Sequence, residues 1–272
     1  NPSAQVNDIT NYDTILCDGE FTPVYSFSTA NTDGLTTFNW TNSNVAIGLA
    51  DSGQGGIPSF QLTNTTQSAI SAIISVTPSY ENNGNICDGD TESFTITVNP
   101  SANMDNVEDI VLCNNEISSI INFTTPNIDG NTTYNWTNDN TSIGLSSNGN
   151  GDIPSFAALN LSPITEVATI SVIPTYENNG VVCVGNPQTF SISVLSEIEI
   201  TGTSLDALDC NDPNSGNINI TVTGGSGVYD FLWSNGETTE DLSNIGPGDY
   251  IVTVTDSQSC IATSETFNIY RQ

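Results

Sequence analysis

The chain has 272 residues; 31 are Asp or Glu, one (Arg271) is Lys or Arg, none is His, and the formal net charge is −30. Nothing can neutralise phosphate, which argues against nucleic acid and anionic membranes as partners. The missing His and Lys exclude Ser-His-Asp, Cys-His, Schiff-base and P-loop chemistry, leaving an enzyme only a carboxylate pair of the glycosidase kind.

The opening NPSA recurs at Asn99–Ala102, so the start of the chain reads as the tail of an earlier repeat. A shift of 96 residues superposes Asp13–Val98 on Asp109–Val194 without a gap, with 41 of 86 positions identical. This predicts two copies of one domain, residues 1–100 and 101–196, and a third domain of different sequence over 197–272. In the first copy, Phe38 and Trp40 lie two apart in TFNWTNSNVAIGL. Ala72, Ile74, Val76 and Tyr80 then alternate with polar residues in AIISVTPSY, and Phe94, Ile96 and Val98 with threonines in the last strand. Period-two alternation predicts antiparallel strands with one buried face, and the absence of any amphipathic helix predicts all-β sandwiches. Pro78 and Pro174 cannot donate to a ladder, so the long strand is expected to end there or to lie at an edge. The pentapeptide YENNG, at Tyr80–Gly84 and Tyr176–Gly180, is expected to be a turn, because Asn-Gly takes positive φ at low cost.

Six cysteines lie 70, 70 and 50 residues apart as Cys17/Cys87, Cys113/Cys183 and Cys210/Cys260, predicting one disulfide per domain and an oxidising, extracellular setting. Without a CxxC or a histidine they are poor metal ligands. The acids that persist at the 96-residue shift include Asp13/Asp109, Glu20/Glu116, Asp33/Asp129 and Glu81/Glu177. A Cys17–Cys87 bridge would draw Asp13 and Glu20 toward Glu81, with Asp109, Glu116 and Glu177 alike in the second copy. Calcium is then the candidate ligand, against the alternative of a solvated acidic surface. Trp40, Trp136 and Trp233 alternate with other aromatics on one strand face, which favours the core over a sugar-stacking platform.

In the third domain NINITVTGG, YDFLW, GDYIVTVTD and IATSETFNI read as strands. Tyr250, after a Gly-Pro-Gly turn, is expected to bond back across the connecting loop as a structural corner. The run from Cys210 through GNINITVTGGSGVYDFLWSNGET to LSNIGPGDYIVTVTDSQSC, ending at Cys260, resembles the repeats of SprB-type gliding adhesins of Bacteroidota; Phe231 stands where a second Tyr is usual. The 96-residue copies resemble the PKD-like, immunoglobulin-like repeats found beside them. The resemblance implies three tandem immunoglobulin-like (PKD-like) β-sandwiches in an extended array. It further implies a non-catalytic segment of a giant surface adhesin, exported by the type IX system and working in gliding or attachment. Its partners would be neighbouring repeats of the same long chain, surface polysaccharide or other cell-surface proteins, with no direct membrane insertion. The competing reading is a carbohydrate-binding accessory module of a secreted enzyme.

Overall fold

The structure, a computed structural model, describes residues 3–207 and 214–271. The first copy contributes β1 (Thr14–Cys17), β2 (Leu35–Asn42), β3 (Ser52–Gln54), β4 (Ile70–Asn82), β5 (Asn85–Asp88) and β6 (Glu92–Asn99), in the order β1-β6-β4-β2-β3 with β5 on β4. β1 runs parallel to β6, and β4 pairs antiparallel with β6, β2 and β5. Ala72, Ile74, Val76, Pro78 and Tyr80 all point inward from β4, the alternation its sequence carries. The facing wall is extended chain joined at two isolated bridges, Phe21–Gln61 and Tyr25–Ile57. Tyr25, Ile57 and Leu62 press from that wall onto Ile74, Val76, Phe94, Ile96 and Val98.

Pro78 neither ends β4 nor lies at its edge. The strand continues for four residues beyond it and pairs with β2 from Ile74 through Glu81. The partner on the other side changes from β6, last opposite Val76, to β5, first opposite Ser79. Pro78 sits in that gap, where its carbonyl accepts from Gly89 N and no ladder donor is required of it. Pro174 is placed alike, its carbonyl accepting from Gly185 N.

YENNG is the β4–β5 hairpin. Asn82 pairs with Asn85 around a two-residue loop in which Asn83 (φ 50°) and Gly84 (φ 78°) are both left-handed. Its tyrosine is fully buried, and the hydroxyl donates to Thr32 O at 2.6 Å; Tyr176 does the same to Ile128 O at 2.9 Å. The second copy places β7 (Ile110–Leu112), β8 (Asn131–Asn138), β9 (Asn148–Asn150), β10 (Glu166–Asn178), β11 (Val181–Val184) and β12 (Gln188–Val194) in the same order as the first.

The third region holds β13 (Glu199–Leu205), β14 (Gly216–Thr223), β15 (Tyr229–Trp233), β16 (Leu242–Ile245), β17 (Gly248–Tyr250), β18 (Val252–Asp256), β19 (Ile261–Thr263) and β20 (Phe267–Ile269). They form sheets β13-β14-β16 and β15-β18-β19 and a β17-β20 pair around a core containing Ile218, Ile220, Trp233, Val252 and Val254. Tyr250 does form the corner: its hydroxyl donates to Gly246 O at 3.0 Å. The chain resolves into two compact units. One is Asn1–Asn106, Phe123–Asn135 and Val172–Gln188; the other is Val107–Asn122, Trp136–Ser171 and Thr189–Gln272.

All three tryptophans are core residues, with Trp40, Trp136 and Trp233 at 7%, 4% and 2% exposure. Trp233 Nε1 donates to Thr239 O at 2.9 Å. Trp40 lies over Gly53, its cross-strand neighbour, and Trp136 over Gly149; a Cβ on either glycine would fall 2.6 Å from indole Cε2. Gly53→Ala is therefore expected to cost about 1–3 kcal/mol through overpacking, read as a lower urea midpoint with unchanged m-value.

Burial pushes the Tyr25 phenol above its usual value of 10.0, opposed by its hydrogen-bond contact with Thr14 Oγ1, and burial raises Tyr176 and Tyr229 too. A raised folded pKa means the unfolded chain loses its proton first. The stability is whole below about pH 10 and is lost as pH climbs through the folded values. An alkaline urea titration should show this decline, and Tyr25→Phe should make it shallower.

Candidate functional site

The cysteines are placed by the register of the first sheet. Cys17 ends β1 opposite Asn99 of β6, whose neighbour Val98 lies opposite Ile70 at the start of β4. Cys87, on β5, lies opposite Tyr80 near the far end of β4. Eleven residue steps of β4 separate the two levels, roughly 36 Å at 3.3 Å per residue. Bridged cysteines need Cα atoms within about 7 Å. A repeat of this fold carries one cysteine at each pole and cannot join its own pair.

The expected pairs Cys17–Cys87, Cys113–Cys183 and Cys210–Cys260 are accordingly replaced. Cys17 bonds Cys183, with Cα atoms 5.6 Å apart, and Cys113 bonds Cys260 at 5.5 Å. Cys87 is a free, half-buried thiol, and Cys210 lies outside the described residues. Equal spacing could not reveal this, because 70 plus the 96-residue repeat equals the observed separation of 166.

In the first unit, the second YENNG hairpin (β10–β11) carries Cys183 to the end of β1. Fully buried Asn99, the first residue of the second NPSA, donates from Nδ2 to Asn178 O at 3.1 Å. Ile128 N donates to Gln67 O at 2.8 Å. The linker then runs past Gly185, with Ala102 O against its Cα, and is clamped by Asn127. That side chain accepts from Asn103 N at 2.7 Å and donates to Ser101 O at 3.1 Å. The covalent bond thus closes a seam already tied by hydrogen bonds of two copies.

In the second unit, Cys260 sits in the β18–β19 turn, shaped by Asp256. This carboxylate is 3% exposed and has no cation beside it. Its Oδ1 accepts from Gln258 N and Cys260 N, each at 2.9 Å, and its Oδ2 from Ser226 N at 2.8 Å. Three backbone donors repay its desolvation, as a buried carboxylate requires. Cys113 packs against the core around Trp233, and Gly225 N donates to Ser196 O at 3.0 Å, tying the last residue of the second copy to the β14–β15 turn.

The calcium set is not assembled. Among the described residues no three His, Cys, Asp or Glu side chains come together as metal ligands. The bridge meant to gather them is not made, and most of these acids serve their own copy. Asp13 Oδ1 accepts from Thr95 N at 2.6 Å and Asp109 Oδ1 from Ser191 N at 2.7 Å, tying the chain before β1 and β7 to the neighbouring strand. The Ser191 amide holds the Asp109 carboxyl below its usual range. Glu20 Oε2 accepts from Cys17 N at 2.7 Å and Glu116 Oε2 from Cys113 N at 2.8 Å, setting the turn after each cysteine. Glu81 and Glu177 are exposed, opposite Ile86 and Val182. The repetition of Glu20 and Glu116 reflects a repeated turn, and that of Asp13 and Asp109 a repeated tie between neighbouring strands. Asn99 and Asp256 went unremarked in the sequence; only the recurrence of NPSA marked the former.

Residues 206–238 match the SprB repeat family. Comparison with curated proteins finds no match. Among solved structures the chain is similar to extracellular domains 3–5 of Drosophila OTK, at 9% identity and TM-score 0.36, covering 96% of this chain and 94% of that one. It is also similar to the N-terminal eight Ig domains of Down Syndrome Cell Adhesion Molecule (10% identity, TM-score 0.40, 98% of this chain and 36% of that one). A third is the C-terminal 282-residue fragment of intimin, solved in complex with the intimin-binding domain of the translocated intimin receptor (12%, 0.35, 73% and 58%). Replacing Asp256 by Ala should leave three backbone donors without their acceptor, that of Cys260 buried, and cost roughly 2–4 kcal/mol. It should also speed reduction of Cys113–Cys260 relative to Cys17–Cys183, read by timed alkylation and peptide mapping.

Proposed function

We propose that the chain is a non-catalytic, load-bearing repeat segment of a large bacterial cell-surface adhesin, extracellular and working in gliding or surface attachment. Its three β-sandwich domains, residues 1–100, 101–196 and 197–272, stand in tandem and hold a binding region away from the cell. The SprB match supports the adhesin-type assignment. Disulfides support an oxidising exterior, and no helix of the described residues is long and apolar enough to cross a membrane. The tryptophans a sugar-binding module would expose are buried.

The observation that carries the reading is the overlap of the two bridges. Cys113 lies inside the loop closed by Cys17–Cys183, and Cys183 inside the loop closed by Cys113–Cys260. Tension entering at Cys17 crosses to Cys183; the shortest route onward runs back 70 residues to Cys113 and across to Cys260, against 77 residues (260 minus 183) forward along the chain. The taut path is then 183 minus 113, or 70 residues, instead of 260 minus 17, or 243. At about 3.5 Å per extended residue these are about 245 and 850 Å. Isolated domains would unravel one by one under load; this arrangement stops short.

Single-molecule pulling from the termini tests it. The oxidised chain should reach a contour shorter by about 600 Å than the same chain in dithiothreitol. Equal contours in the two conditions would refute the load-bearing reading.

A further inference from the structure

We propose that the Cys87 pole of the first repeat is a docking face for the Cys17-bearing end of another repeat of the same type, joined to it by a Cys17–Cys87 disulfide. The proposal rests on the disulfide-stapled seam between repeats described above and extends it to Cys87, a free thiol among the described residues.

Two independent observations carry it. The residue equivalent to Cys87 at the 96-residue shift is Cys183, which is bonded to the Cys17 of a different repeat. The approach to the Cys87 pole is also already built. Ser3–Gln5 are equivalent to Ser101–Asn103 through the shared NPSA, and they are held in the same way. Asn31 accepts from Gln5 N at 2.8 Å and donates to Ser3 O at 3.0 Å, as Asn127 does to Asn103 N and Ser101 O. Ala4 O lies against Gly89 as Ala102 O lies against Gly185. The hairpin carrying Cys87 has the same two-residue Asn-Gly loop and the same buried tyrosine. The linker clamp, the glycine the linker passes, the hairpin loop and the buried tyrosine that accompany Cys183 are therefore all repeated around Cys87.

Cys17 cannot be supplied by the first repeat itself, since its two cysteines lie at opposite ends of β4. The chemistry is an oxidation. Each thiol gives up a proton and an electron, the S–S bond forms, and a small-molecule disulfide such as glutathione disulfide takes up both electrons and protons and leaves as two thiols.

The test lengthens the full chain by a second copy of residues 3–100 placed directly before Ser3. Joining Pro100 to Ser3 regenerates Asn-Pro-Ser-Ala, the native linker. After oxidation in glutathione buffer, alkylation and non-reducing peptide mapping should find the added Cys17 bonded to the resident Cys87, with the added Cys87 now alkylated. A resident Cys87 that is alkylated while Cys17–Cys183 and Cys113–Cys260 persist overturns the docking face alone. Loss of those two bridges from the wild-type chain overturns the stapled seam with it. Should the longer chain fail to fold, Cys183→Ala in the original chain decides. Its released Cys17 should bond Cys87 of a second copy at high concentration, and purely monomeric product overturns the proposal.

Discussion

The pairing of the cysteines follows from the length of one strand. β4 runs for thirteen residues and is shared by β6 over its first half and β5 over its second. β1 is laid parallel to β6, so its cysteine comes to the start of β4, while the hairpin turns its cysteine to the other end. A shorter strand, or a hairpin folding back over the face, would have let one repeat close on itself. Pro78 fits the same scheme: it stands where the partner strand changes and no donor is needed. The covalent frame is thus a result of register.

The charge of the chain is handled by the backbone. With one Arg271 against 31 acids, carboxylates have almost no side-chain cations to meet. Asp13, Glu20, Asp109, Glu116 and Asp256 instead accept main-chain N–H groups at turns and strand starts. Hydrogen bonds to a charged acceptor are worth more than neutral ones and, unlike a surface ion pair, depend little on dissolved salt. Repulsion among the remaining exposed acids is left to screening.

Much of this was legible in the sequence, and the failures have identifiable causes. The alternation in β4 and β6, the Asn-Gly hairpin, the buried tryptophans and the Tyr250 corner each follow from residue types within a few positions of one another. The disulfides depend on where strand ends fall after pairing, and the spacings of 70 and 166 residues differ by one whole repeat. The repeated acids were visible but misassigned. An acid that recurs with a turn can serve a metal or a backbone amide, and only the position of its acceptor oxygens decides between them. Register could have excluded Cys17–Cys87, had β1 been placed on β6 from sequence.

Polar placement of the thiols also fixes an order of events when the chain is made. In an unfolded chain the closure from Cys17 to Cys87 spans 70 residues and that to Cys183 spans 166, so the wrong partner is favoured roughly fourfold by loop entropy. Folding of the first repeat reverses this by carrying the near thiol out of reach. Oxidation that runs ahead of folding traps a pair the sandwich cannot contain; oxidation that waits meets one partner only. The sheet therefore acts as a proofreader of its own crosslinks, and correct maturation requires that thiol oxidation be slower than strand pairing.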